Sequence, residues 1–123
     1  MNQQLLATFN FRDECIMLNE GVLDALGRPQ QVQILIHPEK KNLLVRSCDV
    51  KSKWAIMLDP ENVMQVEIGA KALLRKLRRM LGWETEQPRI CKGELVLDNT
   101  AVVFRLEEAI AVDVPGHTDQ EAG

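Results

Sequence analysis

The sequence predicts an α+β domain of two layers, a mainly antiparallel sheet of hairpins with two helices packed on one face. Three observations predict it. Most apolar segments alternate with a period of two, as strands with one buried face require. Turn residues separate these segments at short intervals, which favours hairpins and antiparallel pairing. Two segments carry the i, i+3, i+4 spacing of a helix instead. At 123 residues and 46% hydrophobic content, the chain is long and apolar enough for one core. Residues 1–114 are expected to form that single domain, and "PGHTDQEAG", residues 115–123, a flexible C-terminal tail.

The elements follow in order. "QLLATFNFR" sets Leu5, Ala7, Phe9 and Phe11 against Leu6, Thr8, Asn10 and Arg12, a half-buried strand. "ECIMLN" is a second short extended run. In "NEGVLDALGRP", Asn19 can cap a two-turn helix with Val22, Leu23 and Leu26 on one side. Gly27 supplies a left-handed stop, and Pro29 prevents resumption. "QVQILIHPEKKNLLVRSC" reads as a hairpin in which Val32, Ile34 and Ile36 face Leu43 and Val45, with Asn42 suited to positive φ in the turn.

"KWAIML" places Trp54, Ile56 and Leu58 on one face, Asp59-Pro60-Glu61-Asn62 is a turn, and "VMQVEI" aligns Met64, Val66 and Ile68. These two runs are expected to form a second hairpin, with an early helix start at Asp59 as the alternative. In "AKALLRKLRRMLGWE", Ala70, Leu73, Leu74, Leu77, Met80 and Leu81 fall within an arc of roughly 120°, and Gly82 ends the helix. After the loop "WETEQPR", Leu95 and Leu97 lead through Asp98-Asn99-Thr100 to Val102, Phe104 and Leu106, another hairpin. Ile110, Val112 and Val114 suit an edge strand.

Several classes of function find no support. No apolar run approaches the ~18 residues of a membrane span, and Met1 to Gln4 offers no charged start to a signal segment. The expected setting is cytoplasmic, with no membrane partner. Cys15, Cys48 and Cys91 are an odd number, far apart and without a CxxC pair, consistent with buried free thiols. The serines, Ser47 and Ser52, lie in no nucleophile elbow. Pairing Cys48 with His37 across the hairpin is conceivable, but a buried thiol and a turn histidine are the plainer explanation, and His117 falls in the tail.

The histidines and cysteines lack zinc-ligand spacing, and no glycine run cradles phosphate. Asp13-Glu14 and Glu107-Glu108, read as adjacent residues at strand ends, point to opposite sides and form no joint acid–base site. The expectation is a protein that is not an enzyme and takes no cofactor or metal.

The charge pattern is more informative. Lys71, Arg75, Lys76, Arg78 and Arg79 hold a third of the 15 basic residues, on the side of the helix opposite its leucines. The remaining ten basic and 18 acidic residues leave a net −8. Lysine and arginine suit the surface of a helix and its C-terminal half. A solvated face therefore explains their residue type, but not the lack of any acid at spacing four before Glu84. A same-sign face invites a compensating partner. Nucleic acid is one, through phosphate contacts. An acidic protein surface is the alternative, within a structural or assembly module and in the simplest case a homodimer.

The segments "VQILIHPEKKNLLVRSCD", "LRRMLGWE" and "GELVLDNTAVVFRLEEA" resemble a group of small uncharacterised proteins of Firmicute phages and prophages. The likeness covers about two-thirds of the chain, and "HPEKKNLLVRSCD" is its most specific part. Some of that group carry the label integrase, which the residues here do not support. A tyrosine recombinase needs a tyrosine, and the chain has none. Ser47 beside Arg46, or Ser52 between Lys51 and Lys53, does not amount to a serine-recombinase pocket. The resemblance implies a mobile-element setting, in which small accessory proteins often bind DNA or another phage protein.

Overall fold

A computed structural model of the chain describes residues 4–48, 51, 55–58, 65–84, 86–96 and 100–112. Strands β1 (Leu6–Asn10) and β2 (Cys15–Asn19) form the first hairpin, with Phe9 opposite Ile16. Its turn is closed by reciprocal bonds: the Asp13 N–H donates to Asn10 Oδ1 (3.1 Å), and Asn10 Nδ2 donates to Asp13 Oδ2 (3.0 Å). Helix α1 (Glu20–Ala25) starts directly after β2 because Asn19 caps it, Oδ1 accepting from the Val22 N–H at 3.1 Å. The same amide ties the helix start to β1. Its Oδ1 also accepts from the Leu6 N–H (3.1 Å), and its Nδ2 donates to the Gln4 carbonyl (2.9 Å).

Strands β3 (Gln31–His37) and β4 (Asn42–Ser47) form the expected hairpin, pairing Ile34 with Val45 and Ile36 with Leu43. The left-handed turn position falls on Lys41 (φ 55°), not on Asn42, which has already entered β4. His37 takes part in the turn, its Nδ1 accepting from the Lys40 N–H at 3.3 Å.

The second expected hairpin does not form. β5 (Ile56–Met57) pairs with β3, whereas β6 (Gln65–Gly69) pairs with β2. They lie at opposite ends of the strand order β5-β3-β4-β8-β7-β1-β2-β6. Alternation showed that both runs were extended, but a period of two carries no information about which neighbour a strand takes. Helix α2 (Lys71–Leu81) begins after β6, so the early start at Asp59 is not taken up. Trp54, the Asp59–Asn62 turn, Met64, Leu97, Asp98, Asn99, Val114, Ser52, His117 and the tail lie outside the described residues.

β7 (Arg89–Val96) is the strand on which the sheet is organised. Along one edge it pairs with β1 through residues 89–92. Along the other it pairs with β8 (Ala101–Arg105) through residues 93–96 and with β9 (Ile110–Ala111) through Arg89 and Ile90. A 3-10 turn at Leu106–Glu108 separates β8 from β9. Glu107 and Glu108 are therefore both exposed on a turn, not at a strand end. The antiparallel pairings curl the sheet into a half-barrel, a shape absent from the sequence expectations, while the α+β class holds.

The core follows from the register. Ala7 and Phe9, Ile16 and Leu18, Leu43 and Val45, and Val102 and Phe104 face the same way along their paired strands and are fully buried. Val22 and Leu23 of α1 and Leu74 and Leu77 of α2 belong to the same cluster. Burying a side chain of this size contributes about 1.5–3 kcal/mol, so each helix is held by its apolar side rather than by intrinsic propensity.

Candidate nucleic-acid interface

Helix α2 has an unusual start and a well-made end. Its N-cap, Ala70, offers no side-chain acceptor, and the first turn contains no acid. The Ala70 N–H instead donates to the Glu14 carbonyl (2.9 Å), pinning the helix start to the β1–β2 turn. At the other end Gly82 adopts the left-handed conformation (φ 68°), and the Trp83 N–H returns to the Arg78 carbonyl at 3.1 Å. Leu74 and Leu77 are buried, which fixes the rotation of the helix.

That rotation separates the five cations into two kinds. Lys71, Arg75, Lys76 and Arg79 are exposed. Among the described residues none of the four has an ion-pair partner. Lys71, Arg75 and Arg79 form a row at spacing four, about 12 Å long at 1.5 Å per residue. Lys76 stands about 60° around the helix from Arg79.

Arg78 differs. Its Nε donates to the Trp83 carbonyl (3.1 Å), its Nη2 to the Glu84 carbonyl (2.9 Å), and its guanidinium lies 5.7 Å from the Phe11 ring centre. It is half-buried, ties down the loop that follows the helix, and brings its positive charge to the negative end of the helix dipole. The expectation that all five cations share one free face is corrected to four.

Trp83, placed by the sequence in a loop, is half-buried against the core. Its ring meets Phe9 at 5.9 Å and Phe11 edge-on at 5.8 Å. The Arg89 guanidinium lies over it at 4.7 Å, in cation–π range. Arg89 Nε is buried and has no hydrogen-bond partner, and no carboxylate pairs with the side chain among the described residues. An unsatisfied buried donor typically costs about 1–3 kcal/mol. A signal for Trp83 did exist: an apolar residue directly after a helix-ending glycine commonly folds back onto the last turns. Arg89 had none, because only the register of β7 with β1, which sets it opposite Phe9, brings it to the ring.

Candidates for nucleophilic chemistry are not brought together. His37 sits at the turn end of the β3–β4 hairpin, whereas the Cys48 N–H bonds the Gln31 carbonyl at the opposite end. Six residue steps of strand separate them, about 20 Å, so the conceivable Cys48–His37 pair is excluded. Cys15 and Cys91 are buried and Cys48 is half-buried; all three are free thiols. Cys91 Sγ donates to the Arg105 carbonyl at 3.1 Å, and burial, aided by the Glu108 charge, pushes its pKa up to about 11. A thiol so disposed is inert at neutral pH. Among the described residues no helix is long and apolar enough to cross a membrane.

The chain was compared with protein-family models, curated proteins and solved structures, and none matches it.

Proposed function

We propose that the protein is a non-enzymatic binding protein whose helix α2 contacts the phosphate backbone of nucleic acid through Lys71, Arg75, Lys76 and Arg79. One observation carries this reading: four exposed cations share a helix whose apolar side is buried, and none has a carboxylate partner among the described residues. A surface helix without a partner normally intersperses acids at spacing four, since like charges there repel. Duplex DNA presents one phosphate per ~1.7 Å of axis, so the row from Lys71 to Arg79 spans enough charge to engage all four cations. A mobile-element setting, in the cytoplasm of a host cell, is consistent with such a role.

A second reading rests on the net −8 of the rest of the chain. A basic helix on an acidic molecule can meet an acidic protein surface, including that of a second copy in a homodimer or assembly.

Fluorescence anisotropy with labelled duplex from about 50 to 200 mM salt tests the first reading. Four phosphate contacts give a log–log salt slope of about −3.6, and the Arg75→Glu/Arg79→Glu variant should abolish binding. No binding at the lowest salt would overturn it. The mass of the free protein by light scattering, lowered in the same variant, would then favour the second.

A further inference from the structure

Among the described cations, Arg89 is the one whose setting calls for an anion most directly. It is half-buried at the start of β7, its guanidinium lies over Trp83 at 4.7 Å, and its Nε is buried without an acceptor. Arg28 and Arg105 each have carboxylates, Arg46 has Gln33, and Arg78 has two carbonyls. Among the described residues Arg89 has only the face of an aromatic ring.

A guanidinium held over a ring face keeps its N–H groups able to donate. With Nε buried, the Nη1–Nη2 edge is the planar fork left to match the two oxygens of a phosphate, which such a fork binds in bidentate fashion. The negative end of α2 is offset here by the two cations of its last turn, Arg78 and Arg79. Trp83 directly follows the C-cap of the helix that carries the exposed cations, so the stacked arginine stands at the end of the same basic element.

We infer that Arg89, stacked on Trp83, is a phosphate-binding site that extends the α2 footprint and takes a phosphodiester of the bound nucleic acid. The inference rests on the proposed function for the source of the phosphate, and on the Arg89–Trp83 geometry for the site itself. Trp83 is its own reporter.

The experiment uses the full chain with Trp54→Phe, so that Trp83 is the single indole emitter. Adding duplex oligonucleotide should change its emission, and Arg89→Gln should remove most of that change. By anisotropy, Arg89 as a fifth contact takes the parent slope from the about −3.6 of the α2 cations alone to about −4.5, and Arg89→Gln should return it to about −3.6. Arg89→Lys, which keeps the charge but loses the flat fork, should keep the slope and still bind several-fold more weakly.

A folded Arg89→Gln protein that binds with the parent slope and affinity would overturn the inference, leaving Arg89 as a cover for Trp83. Should that variant not fold, Arg89→Lys decides: parent affinity would overturn the site. If the parent protein binds no duplex, the proposed function fails by itself, and inorganic phosphate decides the site. A phosphate-dependent change in Trp83 emission that Arg89→Lys loses would support it, and no change at millimolar phosphate would overturn it.

Discussion

Gly93 occupies the position where β7 passes from its pairing with β1 to its pairing with β8. A Cβ there would lie 2.6 Å from Val102 Cγ1 and 2.7 Å from Phe104 Cε1, both on fully buried side chains. Neither neighbour can yield without moving the core, so Gly93→Ala should destabilise by about 1–3 kcal/mol, the usual cost of overpacking. Urea unfolding measures it; an unchanged midpoint would mean that the strand shifts to make room. Two residues earlier, Cys91 yields a pH prediction. Its thiol is raised in the fold from 9.0 to about 11 by burial and by Glu108. Between these values the unfolded chain has lost the proton that the native chain keeps, so stability falls as pH rises. The contribution is intact below pH 9 and declines by at most about 1.4 kcal/mol per pH unit towards pH 11. Cys91→Ala should flatten this alkaline limb relative to the parent, and parallel limbs in the two proteins would show that Cys91 does not titrate late.

At the scale of elements, helix α2 combines a firm apolar side with a self-repelling polar one. Lys71–Arg75 and Arg75–Arg79 are like-charge neighbours at spacing four. Such pairs are unfavourable by about 0.2–0.5 kcal/mol each, and the opposite-charge pairs that Arg75→Glu would create are favourable by similar amounts. The variant should therefore be more stable by about 0.8–2 kcal/mol at low salt, with the gain fading as salt screens it. Thermal melting at low and high salt checks this, and a variant no more stable at low salt would mean that the three side chains avoid one another. Loss of binding together with a gain in stability would mark the row as maintained for a partner. Most of this helix could be read in the sequence: its leucines, its Gly82 stop and its cations each have a local signature. Arg78 could not be separated from the others, because its role depends on carbonyls at positions 83 and 84 that only the folded-back loop presents.

Across the whole molecule, what the sequence concealed is pairing at a distance. The β3–β4 and β7–β8 hairpins are local and were legible from turns and alternation, whereas β1 and β2 were legible as extended runs without their pairing. The contacts that curl the sheet are not: Ala7 pairs with Cys91, Val45 with Val102, and Ile16 with Ile68. Any alternating strand can satisfy such a pairing until the register of every other strand is known, which is why β5 and β6 were expected to join each other. The same non-local pairing has a consequence for folding. β7 belongs to both halves of the curled sheet, and the buried residues of both halves form one cluster with the two helices. Neither half can keep its core after the other has opened, so the chain should unfold as one cooperative unit. In the Trp54→Phe chain, Trp83 emission, which reports on the β1 side through Phe9 and Phe11, should follow the same urea transition as far-UV circular dichroism. Leu43→Ala, a cavity in the far half, should shift both probes together by about 2–5 kcal/mol. If the emission transition of that variant stayed in place while the dichroism moved, β7 would be joining two independently stable halves and the common core would not be the unit that folds.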